Sequence, residues 1–263
     1  MGYKNKKNFT KFMILKKILL FKIYIQNSLY WKHLFYKIIY KFYYNKHKSN
    51  HEIINIIKSK NKIFNTAEFI KQILDFEFIK FEIPKDINIK NNSNNFKIGG
   101  SANLDLLYSI IINSQYKNIL ETGVAAGWSS LSILKAIKNI ENANLTSIDL
   151  PYPGIKNKDY IGSVVPKYLR DKWQIYIASD RTSLDHILSK KMFDLVHYDS
   201  DKSYYGRLWA YKKIWKNLSK GGIFISDDIS DNMAFLDFVN NFKLDYFIIY
   251  YKNKYIGIIK KND

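Results

Sequence analysis

Carboxylates and a lysine cluster directly after two apolar runs in the second half of the chain. The run Phe193–Tyr198 leads into Asp199–Lys202, and the run Ile223–Ser226 leads into the pair Asp227 and Asp228. If both runs are strands of an open α/β sheet, these side chains meet at the edge where such sheets bind ligands. Carboxylates that lie so close repel one another unless a cation or protons intervene, and Mg²⁺ prefers a few carboxylates together with water. The pattern therefore predicts a site for a divalent cation at this edge.

A second candidate site is the glycine-containing segment after the apolar run Asn118–Glu121. Gly123 and Gly127 bracket three residues, and a helix is predicted to begin near residue 128. Gly123 lets the backbone turn sharply and approach a ligand closely, and the helix start offers free N–H groups to a carboxylate or phosphate. A dinucleotide-binding fingerprint needs a glycine where Ala125 stands. For this segment taken alone, an ordinary glycine turn is the alternative.

Acidic residues after the next two predicted strands indicate a nucleotide-like ligand. Asp149 ends the second strand, 26 residues after Gly123, where an acid can accept hydrogen bonds from both ribose hydroxyls. Ser179 and Asp180 follow the third strand. For Asp180 a helix N-cap is the alternative to a ligand contact, and one side chain can serve both purposes.

The elements that must position these residues alternate regularly from Gly99 onward. Apolar runs of strand length alternate with longer helical stretches, as in a parallel sheet covered by helices. Only three residues join the last two runs, which permits a hairpin but no crossover helix, so this pair must be antiparallel. The predicted fold is α/β, a Rossmann-like and mostly parallel seven-stranded sheet with an antiparallel C-terminal hairpin. Strands are predicted at 118–121, 145–149, 174–178, 193–198, 223–226, 246–251 and 255–259, and helices near 128–139, 181–188 and 205–218.

The acid-first segment with two glycines resembles the first motif of class I methyltransferases, which bind S-adenosylmethionine. The resemblance implies that the segment holds the amino-acid end of this cofactor. It also implies that the acid after the second strand holds the ribose, and that the residues after the third strand lie against the adenine. The implied cofactor-binding residues are Glu121, Gly123, Gly127, Trp128, Ser129, Asp149, Ser179 and Asp180.

The carboxylate cluster is similar to that of the catechol and caffeoyl-CoA O-methyltransferases, which hold Mg²⁺ with an Asp-x-x-Lys loop and a later Asp-Asn pair. The resemblance implies that Asp199, Asp227 and Asp228 are metal ligands and that Asp199 and Lys202 carry the catalysis. Lys202 is then the expected general base, because a lysine that is partly desolvated near a metal loses its proton more easily. The chain departs from the pattern at Asp228, where those families carry Asn. His197 is an alternative base, although a histidine on an apolar strand is more often a core residue.

The stretch from about residue 99 to 238 resembles more closely a bacterial methyltransferase family associated with surface-polysaccharide and natural-product gene clusters. The matching motifs are Glu121–Val124, Gly127–Ser130, His197–Tyr204 and Gly221–Ile229. This resemblance implies an O-methyltransferase that acts on a hydroxyl of a small molecule or glycan, with a sugar hydroxyl as the leading expectation. Tyr204, Tyr205 and Arg207 are candidates for the acceptor pocket.

The N-terminal segment has a different character from the rest of the chain. Of the net charge of +19, residues 1–65 carry +14, with 15 lysines and a single acid, Glu52. The heavy use of Lys, Asn, Ile, Tyr and Phe is what AT-rich coding DNA produces, so the charge is weak evidence for nucleic-acid binding. The absence of cysteine excludes disulfides and thiolate metal sites and fits a reducing compartment.

Residues 31–44 form an amphipathic pattern within this segment. As a helix, they place an apolar side opposite a basic one. The apolar side is formed by Trp31, Leu34, Phe35, Ile38, Ile39 and Phe42, and the other by Lys32, His33, Lys37 and Lys41. Lysines interrupt every long apolar run, so neither a membrane-spanning helix nor a secretory signal is expected. We expect this helix to pack on the main domain or on a second subunit, and contact of residues 1–48 with an anionic membrane surface is the alternative. The expected location is cytoplasmic, with a peripheral position at the inner membrane as that alternative.

The predicted organisation is a basic, aromatic helical extension at 1–65, a connecting segment at 66–98 and a methyltransferase domain at 99–263. Two competing functions remain at this point. The basic extension is compatible with an RNA methyltransferase, although the Asn/Asp-Pro-Pro-aromatic motif of many enzymes of that kind is missing. A membrane-surface binding protein with a degenerate cofactor fold is the other, against which the intact Glu121, Gly123, Gly127 and Asp149 argue.

Overall fold

In the computed structural model, the described residues are 22, 25–43, 48–85, 87, 102–152 and 159–262. They contain a mixed sheet of eight strands in the order β1-β7-β8-β6-β5-β2-β3-β4. All neighbouring pairs are parallel except β6 with β8 and β7 with β8. The strands are β1 (Ile63–Phe64), β2 (Asn118–Thr122), β3 (Asn144–Asp149), β4 (Trp173–Ile177), β5 (Phe193–Tyr198), β6 (Leu218–Ser226), β7 (Phe247–Tyr251) and β8 (Lys254–Lys260).

Helices cover both faces of this sheet, because the central strands are apolar along nearly their whole length. The longer α-helices are α1 (Trp31–Tyr43), α2 (Asn50–Lys60), α3 (Leu104–Ser114), α4 (Trp128–Ile137), α5 (Asp180–Leu188), α6 (Tyr204–Lys216) and α7 (Ala234–Phe242). A short α-helix, Thr66–Glu68, continues into a π-helical turn, Phe69–Ile73. One core lies between the sheet and helices α3 and α4, and the other lies between the sheet and α2, α5, α6 and α7.

The topology creates a crevice beside β2. The chain runs outward from β2 to β3 and β4, then returns to place β5 and β6 on the other side of β2. Crossovers therefore leave β2 and β5 in opposite directions, and ligands bind at such a switch point beyond the carboxyl ends of the strands. The loops after β2, β3, β5 and β6 all begin at this edge.

The predicted fold class is confirmed, and the sheet gains one strand. The eighth strand, β1, is two residues long and pairs in parallel with β7 at the sheet edge. The predicted hairpin is confirmed: Lys252 and Asn253 link β7 to β8 with φ of 45° and 64°, the conformation of a type I′ turn. Helices α3 and α7 were not predicted. The predicted Lys90–Asn95 loop and Gly99 lie outside the described residues.

The N-terminal extension contributes to the core of the domain. Helix α2 begins at a capping box in which Ser49 and Glu52 bond each other's backbone N–H. Its Ile53 and Ile57 are both fully buried and pack in the core beneath β2 and β5. Helix α2, which the sequence assigns to the extension, is therefore part of the packed core of the domain. Among the helices that the structure describes, none is both long and apolar enough to cross a bilayer.

Candidate functional site

A cavity of about 390 Å³ lies at the carboxyl edge of the sheet, over the switch point. The loops that follow β2, β3, β5 and β6 form its floor and sides, and the start of α5 and one residue of α1 complete the wall. The lining residues are His33, Ala102, Gly123, Val124, Ala125, Ala126, Trp128, Ser129, Asp149, Leu150, Pro151, Tyr152, Ser179, Asp180, Arg181, Asp199, Ser200, Asp201, Lys202, Asp228 and Lys254.

Two glycines allow the loop after β2 to turn beneath the cavity. Gly123 has a φ of +87°, and a Cβ built on it would lie 2.4 Å from the backbone oxygen of Asp199. Gly127 has a φ of +92°, and its Cβ would lie 2.8 Å from Cα of Gly162. Any other residue type would therefore be strained in its backbone and would also collide with a neighbouring segment. Gly127 lies behind the cavity wall, so of the two predicted glycines only Gly123 lines the cavity.

Asp149 holds the turn and also faces the cavity. Its Oδ1 accepts hydrogen bonds from the backbone N–H groups of Val124 at 2.9 Å and Ala125 at 3.4 Å. Burial raises the pKa of this carboxyl, and the two N–H donors oppose that shift. Within the described part of the chain, Oδ2 receives no hydrogen bond. One oxygen is thus committed to the protein, and the other remains available to a ligand hydroxyl.

Glu121 lies below the cavity and does not line it. Its side chain is fully buried, and Oε2 accepts hydrogen bonds from the hydroxyls of Ser130 at 2.6 Å and Ser147 at 2.8 Å. These bonds join α4 and β3 to β2. Burial raises the pKa of Glu121, while the nearby His197 and the serines oppose the rise. The structure therefore gives Glu121 a positioning role, one step removed from the contact expected with the amino-acid end of the ligand.

The start of α5 supplies the far end of the cavity. Ser179 is the N-cap residue and Asp180 the first residue of α5, and both are nearly buried. The hydroxyl of Ser200 donates to Oδ2 of Asp180 at 2.5 Å. Burial raises the pKa of Asp180 to about 6. The N-cap reading of Asp180 is wrong, because the residue lies inside the helix and makes no cap bond to it.

The loops after β5 and β6 bring carboxylates and lysines together on the opposite side. The ammonium of Lys202 bonds Asp199, and it also lies 2.9 Å from Oδ2 of Asp228. Nζ of Lys254, from the start of β8, lies 3.3 Å from the other oxygen of Asp228. Asp228 adopts a left-handed backbone with φ of 53°, a conformation that Asp and Asn tolerate best among side-chain-bearing residues. Two carboxylates and two ammonium groups therefore form one alternating cluster.

The expected trio of metal ligands is not assembled in this arrangement. Asp227 is buried, and its Oδ2 lies 3.7 Å from Nε2 of His197 on the interior side of the strands. Asp199 and Asp228 face the cavity, but Lys202 bridges them. No group of three acidic or histidine side chains suited to a metal ion occurs among the residues that the structure describes. The donor set does not fit the predicted Mg²⁺ site, because cationic side chains already neutralise the two carboxylates that face the cavity.

Lys202 is also a poorer base than the sequence indicated. Burial alone would lower its pKa, but the carboxylates of Asp199 and Asp228 outweigh burial and raise the pKa above its ordinary value. Lys202 is therefore a protonated charge partner at neutral pH. Burial and the charge of Asp227 raise the pKa of Asp199, against the opposing effect of Lys202. This direction is opposite to the one that desolvation alone would give, because the two acidic neighbours of Lys202 outweigh burial.

Two residues that line the cavity, His33 and Arg181, were not predicted from the sequence. His33 of α1 lines the cavity, and the hydroxyl of Tyr30 donates to the backbone oxygen of Pro151 at 3.0 Å. Arg181 lines the cavity and stacks over the rings of Tyr36 and Trp209, 4.3 and 4.0 Å from their centroids. The amphipathic pattern of α1 predicted a packed helix, but nothing in it pointed to His33.

The residues expected in the acceptor pocket lie elsewhere. Arg207 is fully buried and donates to the backbone oxygens of Asp228 at 2.8 Å and Asp227 at 3.3 Å. Arg207 therefore stabilises the loop after β6 from the interior of the protein. Tyr204 donates to Asp237 at 2.8 Å, and neither it nor Tyr205 lines the cavity.

The cavity lining carries more acidic than basic side chains, although the chain as a whole is strongly basic. The protein carries a formal net charge of +19, yet five aspartates line the cavity against one arginine and two lysines. Such a lining favours a ligand with a cationic centre and disfavours a polyanion. The acidic residues are Asp149, Asp180, Asp199, Asp201 and Asp228, and the basic ones are Arg181, Lys202 and Lys254.

Comparison with known proteins gives the family context of this site. Residues 120–229 match a family model described as a methyltransferase domain. An O-methyltransferase from Bacillus cereus, solved in complex with SAH, superposes with a TM-score of 0.56 at 15% identity, covering 74% of this chain and 96% of that one. A cofactor-bound protein from MTB gives a TM-score of 0.51 at 15% identity, covering 64% and 84%. No curated protein matches the sequence significantly.

The matched segment runs from the middle of β2 to just past β6. It contains every cavity-lining residue except His33, Ala102 and Lys254. The resemblance to class I methyltransferases is confirmed by this match and by the fold.

Proposed function

We propose that this protein transfers the methyl group of S-adenosylmethionine to a hydroxyl oxygen of a small molecule or glycan. The observation that carries the proposal is the convergence of the Gly123 turn, Asp149 and Asp180 on one side of a single cavity, with Asp199 and Lys202 on the other. The first three suit a nucleoside with an amino-acid tail. The last two supply the polar groups that a hydroxyl acceptor needs.

The lining fits S-adenosylmethionine in shape and in charge. The turn at Gly123 leaves no room for a Cβ, so the backbone can approach a ligand closely. The start of the following helix offers N–H groups to the carboxylate of the methionyl part. The second oxygen of Asp149 has no protein donor in the described part of the chain, so it can accept from ribose hydroxyls. Asp180 can accept from the amino group of the adenine. The excess of aspartates suits the ammonium and sulfonium charges of the cofactor.

When bound, S-adenosylmethionine supplies a methyl group whose bond to sulfur breaks, with the electron pair remaining on sulfur, as a bond to the acceptor oxygen forms. The contribution of the chain is to align the acceptor and to remove its proton. We assign proton removal to Asp199, which faces the cavity and is the only carboxylate in contact with Lys202 from the same loop. Lys202 stays protonated and can donate to the acceptor oxygen, which fixes the attack geometry.

In the mechanism proposed here, Mg²⁺ takes part in no step. The Lys202 ammonium lies between the carboxylates that a metal ion would need. The acceptor class is inferred from the carboxylate and ammonium groups on this side of the cavity, which can bond a hydroxyl, and from the motif resemblance to O-methyltransferases.

Calorimetric titration of S-adenosylmethionine tests the cofactor part of the proposal. We expect micromolar binding to the wild type and a loss of at least about tenfold in Asp149→Asn, because one ribose acceptor becomes a donor. Asp245→Asn, at an exposed position outside the cavity, is the matched control and should bind as the wild type does. Folded protein that binds no S-adenosylmethionine would refute the proposed function.

A methyl-transfer assay with a panel of hydroxyl compounds, from catechols to free sugars, tests the chemistry. With an accepted compound, Asp199→Asn should lower kcat by about 100-fold or more and leave cofactor affinity within about threefold. If Asp199→Asn instead abolishes cofactor binding and leaves kcat unchanged, Asp199 belongs to the cofactor site and is not the proton acceptor.

A further inference from the structure

Helix α1 turns its apolar side away from the domain. Trp31, Phe35 and Ile38 are 57%, 60% and 43% exposed. In a helix of 3.6 residues per turn, these three side chains fall within an arc of roughly 60°. We call Trp31, Phe35 and Ile38 the outer face of α1. Exposed apolar residues are ordinary when scattered singly, but three large ones on one helix face mark an interaction surface.

The opposite side of α1 faces the protein and is polar or aromatic. His33 lines the cavity, Tyr36 stacks on Arg181, and Tyr30, immediately before the helix, is buried against Pro151. His33 lies nearly opposite the outer face in the helical projection. The domain therefore already occupies one side of α1. On the outer face, the indole N–H of Trp31 donates to the backbone oxygen of Ile25 at 2.8 Å, while more than half of the Trp31 and Phe35 side chains stays exposed.

The positive charge of α1 and of the segment around it indicates what binds the outer face. Lys32 and Lys37 are exposed on the flanks of the outer face, and residues 1–51 contain 12 lysines and no acidic residue. A second copy of this helix, or the segment before it, would bring lysines against lysines. A nucleic acid would match the charge, and its bases could stack on Trp31 or Phe35, but it offers no apolar phase that takes up these rings and Ile38 together. An anionic lipid surface matches both, because it accepts apolar side chains at the acyl boundary and attracts lysines at the headgroups.

We propose that the outer face of α1 docks the protein on an anionic membrane surface. The helix lies in the plane of the interface, with Trp31, Phe35 and Ile38 inserted and the flanking lysines at the headgroups. One helix diameter, about 10 Å, then separates the lipid from the cavity wall at His33. The inference goes beyond methyl transfer and does not depend on it.

Flotation of the full-length protein with lipid vesicles tests this inference. The probes are vesicles of phosphatidylcholine alone and vesicles in which about one third of the lipid is phosphatidylglycerol. We expect flotation with the anionic vesicles only. Replacing Trp31, Phe35 and Ile38 together with Ser should weaken this binding at least about tenfold.

The control variant replaces three exposed apolar residues at other places, Ile83, Tyr168 and Met192, with Ser. These are 42%, 52% and 44% exposed, and this variant should float as the wild type does. Urea unfolding of both variants, followed by circular dichroism, establishes that each one is folded, independently of cofactor binding.

Three results would overturn the inference. The first is wild-type protein that fails to float with anionic vesicles. The second is a triple variant of the outer face that floats as well as the wild type, which would reduce the binding to charge alone. The third is sedimentation showing a dimer that the triple variant abolishes, which would assign the outer face to a second copy.

Discussion

Replacing Asp180 with Asn should stabilise the cofactor-free protein at neutral and basic pH. Asp180 is 8% exposed, and burial raises its pKa to about 6 from an ordinary value of 3.8. Hydrogen bonds from Ser200 and Tyr198 oppose the rise, and the charges of Asp201 and Asp149 add to it. The folded protein therefore carries a buried carboxylate whose ionisation the surroundings oppose.

The magnitude follows from linkage between protonation and folding. Because the folded state holds this proton more tightly than the unfolded state, stability falls as pH rises from about 3.8 to about 6 and is constant above that range. The cost of the ionised carboxylate is about 3 kcal/mol at about pH 8 and about 1.6 kcal/mol at about pH 5. Asn keeps an oxygen that accepts from Ser200, so the variant removes the charge without leaving that hydroxyl unpaired.

Urea unfolding of the wild type and of Asp180→Asn at these two pH values checks the calculation. The free energy of unfolding of the variant should exceed that of the wild type by up to about 3 kcal/mol at the higher pH, and by about half as much at the lower. Asp185→Asn is the control, because Asp185 lies on the same helix with its side chain 65% exposed in a salt bridge to Lys213. It should change stability by less than about 1 kcal/mol at both pH values.

A variant less stable than the wild type at both pH values would refute the reasoning, as would a gain independent of pH. The same titration predicts that the wild type binds S-adenosylmethionine more tightly as pH rises through about 6, because ionised Asp180 is the better acceptor for the adenine amino group. Asp180→Asn should lose this pH dependence.

Three further variants probe the turn, the charged cluster and the extension. Gly123→Ala should lower cofactor affinity at least about tenfold by calorimetry, because its Cβ would lie 2.4 Å from a backbone oxygen; affinity equal to that of the wild type would contradict the close-approach argument. Lys202→Met should make the melting temperature rise by a few degrees in about 10 mM Mg²⁺, because Asp199 and Asp228 lose the ammonium that bridges them; a wild type that responds equally would show that the lysine does not exclude the metal. Ile57→Ala should lower the free energy of unfolding in urea by about 2–5 kcal/mol, because Ile57 is fully buried. A loss below about 1 kcal/mol would show that α2 does not pack in the core.

The sheet could be predicted from the sequence because its strands are nearly continuous apolar runs. The run 193–198 coincides with β5, and the other predicted strands differ from the observed bounds by a few residues at most ends. The hairpin followed from a linker too short for any crossover. Helix α3 escaped prediction although it is buried, because its apolar residues occur on nearly every side and show no clear period.

The site was predictable in its residues but not in their pairings. The sequence placed Asp149, Asp180 and Asp199 at the edge of the sheet, where they line the cavity. It could not show that Asp227 turns inward to His197, because Asp227 lies just past the end of β6, where strand alternation no longer fixes the direction of a side chain. It also could not show that Lys202 reaches both Asp199 and Asp228, since that contact depends on the left-handed turn at Asp228.

The orientation of α1 has a consequence for separating membrane docking from catalysis. Deleting residues 1–65 would remove the outer face, but it would also remove His33 from the cavity wall and the bond from Tyr30 to Pro151. It would further uncover the core where Ile53 and Ile57 are buried. A truncated protein that bound neither lipid nor cofactor would therefore say nothing about docking. The two sides of α1 are opposite in direction and differ in chemistry, so substitutions on the outer face alone can abolish docking while the cavity wall stays in place.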